Sequence, residues 1–359
     1  MVREVSMRVI LVVLAIPTLV CYLLLVDDTT HHLHPLPTEY ASRSPPTVGS
    51  CARCGLNFPV VSDTPIEDPE DFWWADWEEV QGSRRAALHF ACFHVKNAKV
   101  KSFTKLLNFR KYLYNLILDD RHRAIYCYVP KVACTNWKRM MMILSGRTNE
   151  TNPLNISSSI PHEEGVLTRL SGSRMKSSLL NYKLRTYTKF LIVRHPMERL
   201  VSAYRNKLVI NSTSAADFKR RYGMMIMKKY RKGASTLNIT KNGHGVTFAE
   251  FVSYLTDTGT RQDNFETLNE HWAPYVDLCH PCTIKYNIIG KYETLEEDSE
   301  YILRKIHAPH DLHFPPVVAS RTAALVAEHM ASLTPQLSRK LYELYKHDFR
   351  LFEYDYSNL

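Results

Sequence analysis

The chain has 359 residues, of which 45% are hydrophobic and 23% charged, and its formal net charge is +10. These proportions describe an ordinary globular protein with a sizeable core, and they exclude a low-complexity chain. The excess of positive charge indicates a polyanionic partner, or only a solvated basic surface.

The N-terminus begins with an apolar run over residues 9–26 that is long enough to cross a bilayer. Arg3 and Arg8 precede it, and Asp27 and Asp28 follow it. The positive-inside rule then predicts a cytosolic tail (1–8), a transmembrane signal anchor (9–26) and a luminal remainder. A cleaved signal peptide is the alternative, although no small-x-small cleavage site follows the run. We expect no nucleic-acid partner behind such an anchor.

Two further features indicate the lumen. There are four glycosylation sequons, at Asn149, Asn155, Asn211 and Asn238. Seven cysteines follow the apolar run, an odd number, and we expect disulfides with Cys134 unpaired. The Cys-x-x-Cys pairs at 51–54 and 279–282 could instead hold zinc, but their separation is far larger than is usual for a zinc site.

Residues 27–83 are rich in proline and polar residues and predict a luminal stem, followed by a folded luminal domain at 84–359. Trp73, Trp74 and Trp77 could form a docking segment, but core packing is the simpler interpretation. Helical spacing of apolar residues extends over 83–119 and includes Leu116 and Ile117.

The catalytic region alternates short apolar strands with amphipathic helices. Strands are predicted over 124–129, 189–193 and 284–290, and helices over 294–306 and 334–346. This alternation predicts an α/β fold with a central parallel sheet flanked by helices.

The first chemical motif spans residues 126–138, where a strand stops at Pro130-Lys131 and a helix follows a run of small residues. A strand, a tight turn and a helix N-terminus form a phosphate cradle from backbone N–H groups and the helix dipole. The motif lacks the glycines of a Walker A loop. Lys131 could alternatively pair with a neighbouring carboxylate.

The second motif starts with Arg194, directly after a buried strand, and reaches Ser202 in the helix that starts near Pro196. Arginine and a hydroxyl suit a second phosphate, because arginine binds phosphate through two hydrogen bonds. The alternative is a simple intrahelical pair of Arg194 with Glu198. Two phosphate sites at adjacent strand ends suggest a nucleotide that is phosphorylated at two separated positions.

Together these motifs resemble the donor-binding signatures of Golgi carbohydrate sulfotransferases. The segments Asn269-Glu-His-Trp272, Leu278-Cys-His-Pro-Cys282 and Gly290-Lys-Tyr-Glu293 extend the resemblance to the branch that sulfates position 4 of N-acetylgalactosamine, closest to chondroitin 4-O-sulfotransferases. The resemblance implies a P-loop-like sulfotransferase fold, the donor 3′-phosphoadenosine 5′-phosphosulfate, no metal, and a single-pass type II protein of the Golgi membrane. The implied partner is an anionic glycosaminoglycan or another glycan that carries N-acetylgalactosamine.

Carried over by position, the resemblance assigns two sets of donor-binding residues. The 5′-phosphosulfate set is Pro130, Lys131, Val132, Ala133, Cys134, Thr135 and Asn136. The 3′-phosphate set is Arg194, His195, Pro196, Met197, Glu198, Arg199, Leu200, Val201 and Ser202. His195 departs from the pattern, since an acidic residue is frequent at that position.

Sulfuryl transfer needs charge stabilisation on the leaving nucleotide and a base for the acceptor hydroxyl. We expect Lys131 to neutralise the leaving oxygen. The candidate bases are His162, then His271, then Glu270, with His280 a weaker rival. Trp137 could stack on adenine, but a helix tryptophan is more often part of the core.

Two other functions share these features. A metal-free glycosyltransferase fits the anchor and sequons, whereas the metal-dependent type is disfavoured because the chain contains no Asp-x-Asp. A non-catalytic glycan-binding protein on the same fold is the second. Chondroitin, dermatan and terminal N-acetylgalactosamine on N-glycans all remain open as acceptors. Basic residues between Lys219 and Lys232 could track a polymer or form a solvated helix face.

Overall fold

The structure is a computed structural model that describes residues 69–95, 102–172, 174–231, 242–259, 268–316 and 322–356. The chain divides into residues 1–64 and a second compact unit from Pro65 to Leu359. The predicted anchor, the first part of the predicted stem and Asn238 lie outside the described residues. Within those residues, no helix combines the length and apolarity needed to span a membrane.

A four-stranded sheet forms the centre of the second unit. Its strands, in spatial order, are β1 (Leu116–Asp119), β2 (Ala124–Cys127), β3 (Thr188–Val193) and β4 (Ile288–Lys291). The pairs β2–β3 and β3–β4 are parallel, as predicted, but β1 runs antiparallel to β2. The sheet is therefore mixed. Residues 120–123 are too few for a crossover, so β1 and β2 can only form a hairpin.

The predicted helical spacing up to residue 119 is wrong at its end. Leu116 and Ile117 lie in β1, where all four residues are buried. A strand that is buried along its whole length shows a continuous apolar run, which also satisfies a helical template.

Helices cover both faces of the sheet and build a second hydrophobic cluster beside it. In chain order they are α1 (Pro69–His94), α2 (Phe103–Asn108), α3 (Cys134–Leu144), α4 (Ser177–Thr186), α5 (Pro196–Tyr204), α6 (Thr213–Phe218), α7 (Met224–Tyr230), α8 (Phe248–Thr256), α9 (Tyr275–Leu278), α10 (Leu295–Lys305), α11 (Thr322–Ala331) and α12 (Pro335–Leu351). The two predicted C-terminal helices are confirmed as α10 and α12.

Helix α1 closes the edge of the sheet at β4. The Gln81 side chain accepts a hydrogen bond from the Ile289 N–H (2.9 Å) and donates one to its carbonyl (3.3 Å), as a neighbouring strand would. Trp74 stacks on Tyr301 at 4.8 Å, which confirms core packing for the tryptophans. The helix runs across the predicted boundary at residue 83, which stays a prediction.

Two disulfides join distant parts of the chain, Cys92 to Cys282 and Cys127 to Cys279. Because Cys279 and Cys282 each form a disulfide, neither is a zinc ligand. Cys134 is buried and free, as predicted. The Cys127–Cys279 bond connects the end of β2 to the segment that follows α9.

Candidate active site

The two sequence motifs meet at one cavity of about 400 Å³. It lies at the carboxyl ends of β2, β3 and β4, where ligands bind in α/β sheets. Its wall consists of Pro130, Lys131, Ala133, Cys134, Thr135, Asn136, His162, Arg194, Ser202, Asn206, Lys207, His271 and Tyr292. The structure thus brings together residues from strand ends that lie far apart in the sequence.

The loop of residues 130–136 is shaped by its backbone. Lys131 and Ala133 both have positive φ angles, of 75° and 59°. Such angles are uncommon outside glycine, and left-handed residues are typical of the concave backbone turns that bind anions through their N–H groups. Helix α3 follows directly, without a side-chain cap, so the N–H groups of its first turn have no intrahelical acceptor. The turn therefore has backbone features that are typical of an anion site, although it lacks the glycines of a Walker A motif.

The second motif presents a side chain instead. The Arg194 guanidinium is 3% exposed, donates to Glu198 at 2.8 Å, and lies 4.3 Å from the centre of the Tyr292 ring. Tyr275 fixes the Arg194 backbone, since its hydroxyl accepts from the N–H and donates to the carbonyl. Arg194 therefore forms the ion pair with Glu198, and it also lines the cavity together with Ser202.

The remaining residues of the predicted 3′-phosphate set do not line the cavity. Apolar members are buried in the core, namely Pro196, Met197, Leu200 and Val201. The His195 ring contacts the Asp355 carbonyl at 3.0 Å and packs edge-on against Phe349 and Tyr354. In the first set, Val132 is likewise a core residue.

Arg199 is a buried clamp, with 1% of its surface exposed. It donates to three backbone carbonyls, those of Pro130 (3.1 Å), Glu270 (2.9 Å) and Ala273 (2.8 Å). These bonds connect the first loop to the segment that carries His271. Arg199 therefore shapes the cavity without reaching it.

Both leading base candidates line the cavity, and both are held in the neutral form. Burial, followed by the charges of Lys207 and Lys131, lowers the pKa of His271 to about 2. Burial and the charge of Lys138 lower the pKa of His162 to about 4. Because His162 is an exposed residue at the rim, water screens part of its shift.

The other two base candidates lie elsewhere. The Glu270 carboxylate accepts a hydrogen bond from the Tyr128 hydroxyl at 2.8 Å and is not part of the cavity wall. The His280 ring lies between two backbone carbonyls, of Val276 (3.0 Å) and Tyr112 (2.9 Å). His280 is therefore structural.

Burial excludes two further roles that the sequence left open. Trp137 is fully buried against Tyr126 and Phe190, so it cannot stack on adenine. Lys219 is 1% exposed and donates to the Val209 carbonyl, so it cannot track a polymer.

Sequence reasoning missed Asn206, Lys207 and Tyr292 as parts of the wall. Asn206 lies four residues after Ser202, a spacing that a helical projection would have placed on the same face. Lys207 faces the cavity because residues Arg205–Val209 form a π-helical turn, which no sequence pattern predicts. Tyr292 follows β4 directly, at the sheet edge where ligands bind.

The burial of Lys131 has an electrostatic consequence. Desolvation, together with the charges of Lys207 and Arg194, lowers its pKa. Three cations at one cavity repel each other until an anion arrives, so the site favours a multiply charged anionic ligand. No cluster of three or more metal-ligating side chains occurs in the part of the chain that the structure describes.

Comparisons with known proteins identify the family of this chain. A model of the sulfotransferase family matches residues 114–355. Carbohydrate sulfotransferase 11 of Rattus norvegicus is 44% identical over 248 residues, which cover 68% of each chain. Carbohydrate sulfotransferase 12 of Mus musculus is 38% identical over 297 residues (78% of this chain, 69% of the relative), and carbohydrate sulfotransferase 14 of Homo sapiens is 36% identical over 253 residues (70% and 62%).

No solved structure matches the chain. The matched region contains the whole cavity wall, from Pro130 to Tyr292. The resemblance noted in the sequence is confirmed, and the chain belongs to the sulfotransferase family as a carbohydrate sulfotransferase.

Proposed function

We propose that the chain transfers sulfate from 3′-phosphoadenosine 5′-phosphosulfate to the 4-hydroxyl of N-acetylgalactosamine in chondroitin-type glycosaminoglycan. The observation that carries this proposal is the convergence of segments 130–136 and 194–202 on one cavity. The first segment offers backbone donors and the second offers a guanidinium, which suits a ligand with anionic groups at two ends.

The donor supplies the sulfuryl group and, when bound, the leaving bisphosphate. The N–H groups at the start of α3 and the Thr135 hydroxyl would hold the 5′-phosphosulfate, and Arg194 with Ser202 would hold the 3′-phosphate. Lys131 belongs to the same segment and lies on the cavity wall, where its ammonium would neutralise negative charge on the leaving oxygen.

The acceptor would bind at the same cavity. His162 and His271 lie on the cavity wall as neutral imidazoles, and an acceptor hydroxyl needs one such group as its base. Lys207 adds a cation whose charge favours an anionic glycan over a neutral one. These groups support an acceptor that brings a hydroxyl to the cavity and carries negative charge nearby.

We further propose that the protein acts in the Golgi lumen as a single-pass type II membrane protein. Two disulfides support an oxidising compartment. Asn149, Asn155 and Asn211 are exposed, as glycosylation requires. Glycosidase treatment of the protein from secretory cells should increase its gel mobility, and an unchanged mobility would contradict luminal exposure.

The direct test incubates the full chain in detergent with sulfate-labelled donor and three acceptors: desulfated chondroitin, desulfated dermatan and N-glycans ending in N-acetylgalactosamine. We expect labelled chondroitin, with the label at position 4 of N-acetylgalactosamine after disaccharide analysis. Label at another position, or preference for another acceptor, would overturn the substrate assignment. Binding of all three without transfer would favour a non-catalytic glycan-binding protein.

A further inference from the structure

The two histidines on the cavity wall are held in opposite tautomers. We propose that His271 takes the proton from the acceptor hydroxyl, whereas His162 is a positioning residue that orients the Thr135 hydroxyl. This division of roles rests on the proposed sulfate transfer, and it reverses the ranking that the sequence suggested.

The tautomer of His271 follows from its contacts with Asn269. One atom of the Asn269 amide, Oδ1, lies 3.1 Å from the His271 backbone nitrogen and 2.8 Å from ring Nδ1. A backbone N–H can only donate, so the shared atom must be the amide oxygen, and Nδ1 must carry the ring proton. The other end of the amide agrees, since Nδ2 donates to the Tyr222 hydroxyl at 3.3 Å.

With Nδ1 protonated, Nε2 of His271 keeps its lone pair. Among the described residues, no group forms a hydrogen bond with this nitrogen, and His271 lines the cavity. The ring plane is fixed by Phe218, which packs edge-on at a centroid distance of 5.0 Å. His271 therefore presents a fixed acceptor nitrogen to the cavity, as a general base requires.

His162 has the reverse arrangement. The Lys138 ammonium lies 3.3 Å from Nδ1, and because an ammonium has only donors, Nδ1 must accept. Ring Nε2 then carries the proton and donates it to Thr135 Oγ1 at 3.0 Å. Lys138 is itself fixed, being 2% exposed and 3.7 Å from the centre of the Tyr128 ring. Neutral His162 thus has no free lone pair for a substrate proton.

The bond from His162 has a consequence for Thr135. A hydroxyl that accepts from an imidazole N–H is free to donate its own hydrogen in another direction. Thr135 lines the cavity at the first turn of α3, so that hydrogen is available to an oxygen of the donor. His162 would act on donor geometry through Thr135.

These assignments account for every bond and proton in the transfer step. The acceptor oxygen forms a bond to sulfur as its proton moves to Nε2 of His271. The bond between sulfur and the phosphate oxygen breaks, and its electron pair stays on the leaving bisphosphate, beside Lys131. The imidazolium then returns its proton to water, which restores the neutral base.

Because of the surrounding cations, the pKa of His271 should depend on whether the donor is bound. Burial has the largest effect on the pKa of His271, and the charges of Lys207, Lys131 and Arg199 lower it further in the free protein. An anionic nucleotide at the cavity would offset these charges, so the pKa should rise when the donor binds. The base would gain strength only once its reaction partner is in place.

The decisive comparison uses matched glutamine variants, His271→Gln and His162→Gln, with exposed His89→Gln as control. Glutamine can accept from Lys138 and donate to Thr135, but it cannot take a proton. We expect kcat to fall by about 100- to 10,000-fold in His271→Gln and by no more than about tenfold in His162→Gln. Adenosine 3′,5′-bisphosphate, measured by calorimetry, should bind both variants and the control alike.

The reverse result overturns the proposal: near-normal kcat in His271→Gln, or a greater loss in His162→Gln.

A second test uses Asn269→Asp, whose carboxylate would raise the pKa of His271. Since the base works only when deprotonated, the acid limb of the pH profile should move to higher pH in this variant. An unmoved acid limb would remove His271 from the reaction.

Tautomers can also be read without any turnover. In the ¹⁵N-histidine spectrum of the full chain, His271 should show a protonated Nδ1 and His162 a protonated Nε2. Adding adenosine 3′,5′-bisphosphate should raise the pKa of His271. Inverted tautomers would overturn this division of roles, whereas an inactive wild-type protein with these tautomers would overturn only the proposed sulfate transfer.

Discussion

The two segments at the cavity present hydrogen-bond donors by different means. Segment 130–136 offers its backbone, held by left-handed conformations at Lys131 and Ala133 and by the start of α3. Segment 194–202, which is mostly helix α5, offers one guanidinium, which is held by Glu198 and Tyr292. Changes of side chain should therefore affect the second segment most, and changes of backbone conformation the first.

Lys131 is the exception within the first segment, and its removal should have the largest effect of the changes that compare the two segments. We expect Lys131→Ala to lower kcat by a factor of about 100 to 1,000, because charge on the leaving oxygen loses its partner. Alanine has the same steric limits at a φ of 75°, so the loop should keep its conformation and the nucleotide affinity should change much less.

The measurement is kcat for sulfate transfer beside calorimetry with adenosine 3′,5′-bisphosphate. Exposed Lys285→Ala serves as a control for the loss of one positive charge. Near-normal turnover in Lys131→Ala would mean that this segment acts through its backbone alone.

Arg199 links the two segments, because it lies in the second and donates a hydrogen bond to the Pro130 carbonyl of the first. Arg199→Met keeps the length of the side chain but leaves three carbonyls without their donor. We expect the free energy of unfolding to fall by about 3 kcal/mol. Chemical denaturation measures it, and a loss below about 1 kcal/mol would show that water replaces the guanidinium.

Arg194→Ala tests the second segment directly. Losing a charged hydrogen-bond donor should raise the donor KM by about 10- to 100-fold with a smaller change in kcat. Glu198→Gln is the matched comparison, since Tyr292 and burial still hold the guanidinium, and its effect should be several-fold smaller. Equal effects of both variants would mean that Glu198, and not the phosphate, is the main partner of Arg194.

The sequence predicted most of this site because the motifs follow strand ends. Buried β2 and β3 are short apolar runs, and both motifs start where those runs stop. Lys131, Arg194 and Ser202 could therefore be assigned to one edge of a sheet from the order of strands and helices alone.

What the sequence did not predict depends on local geometry. The direction of β1 depends on a short turn, and the position of Lys207 on a π-helical turn. The proposed ranking of His271 above His162 as the base depends on which ring nitrogen contacts Asn269 or Lys138. Periodicity carries no information on such contacts, because it records which face a residue occupies and not which atom it presents.

The smallest predicted effect compares one substitution, alanine to glycine, in the left-handed turn and in a helix interior. Ala133 has a φ of 59°, where an L-residue costs about 1–2 kcal/mol that glycine avoids, so Ala133→Gly should raise the free energy of unfolding by up to about 1 kcal/mol. The same change at Ala203, inside α5, should lower it by about 1 kcal/mol, because glycine disfavours a helix interior. Urea denaturation of both variants measures the difference. Equal signs would mean that the backbone of the first segment carries no strain, and that its conformation owes more to the buried Val132 than to the left-handed turns.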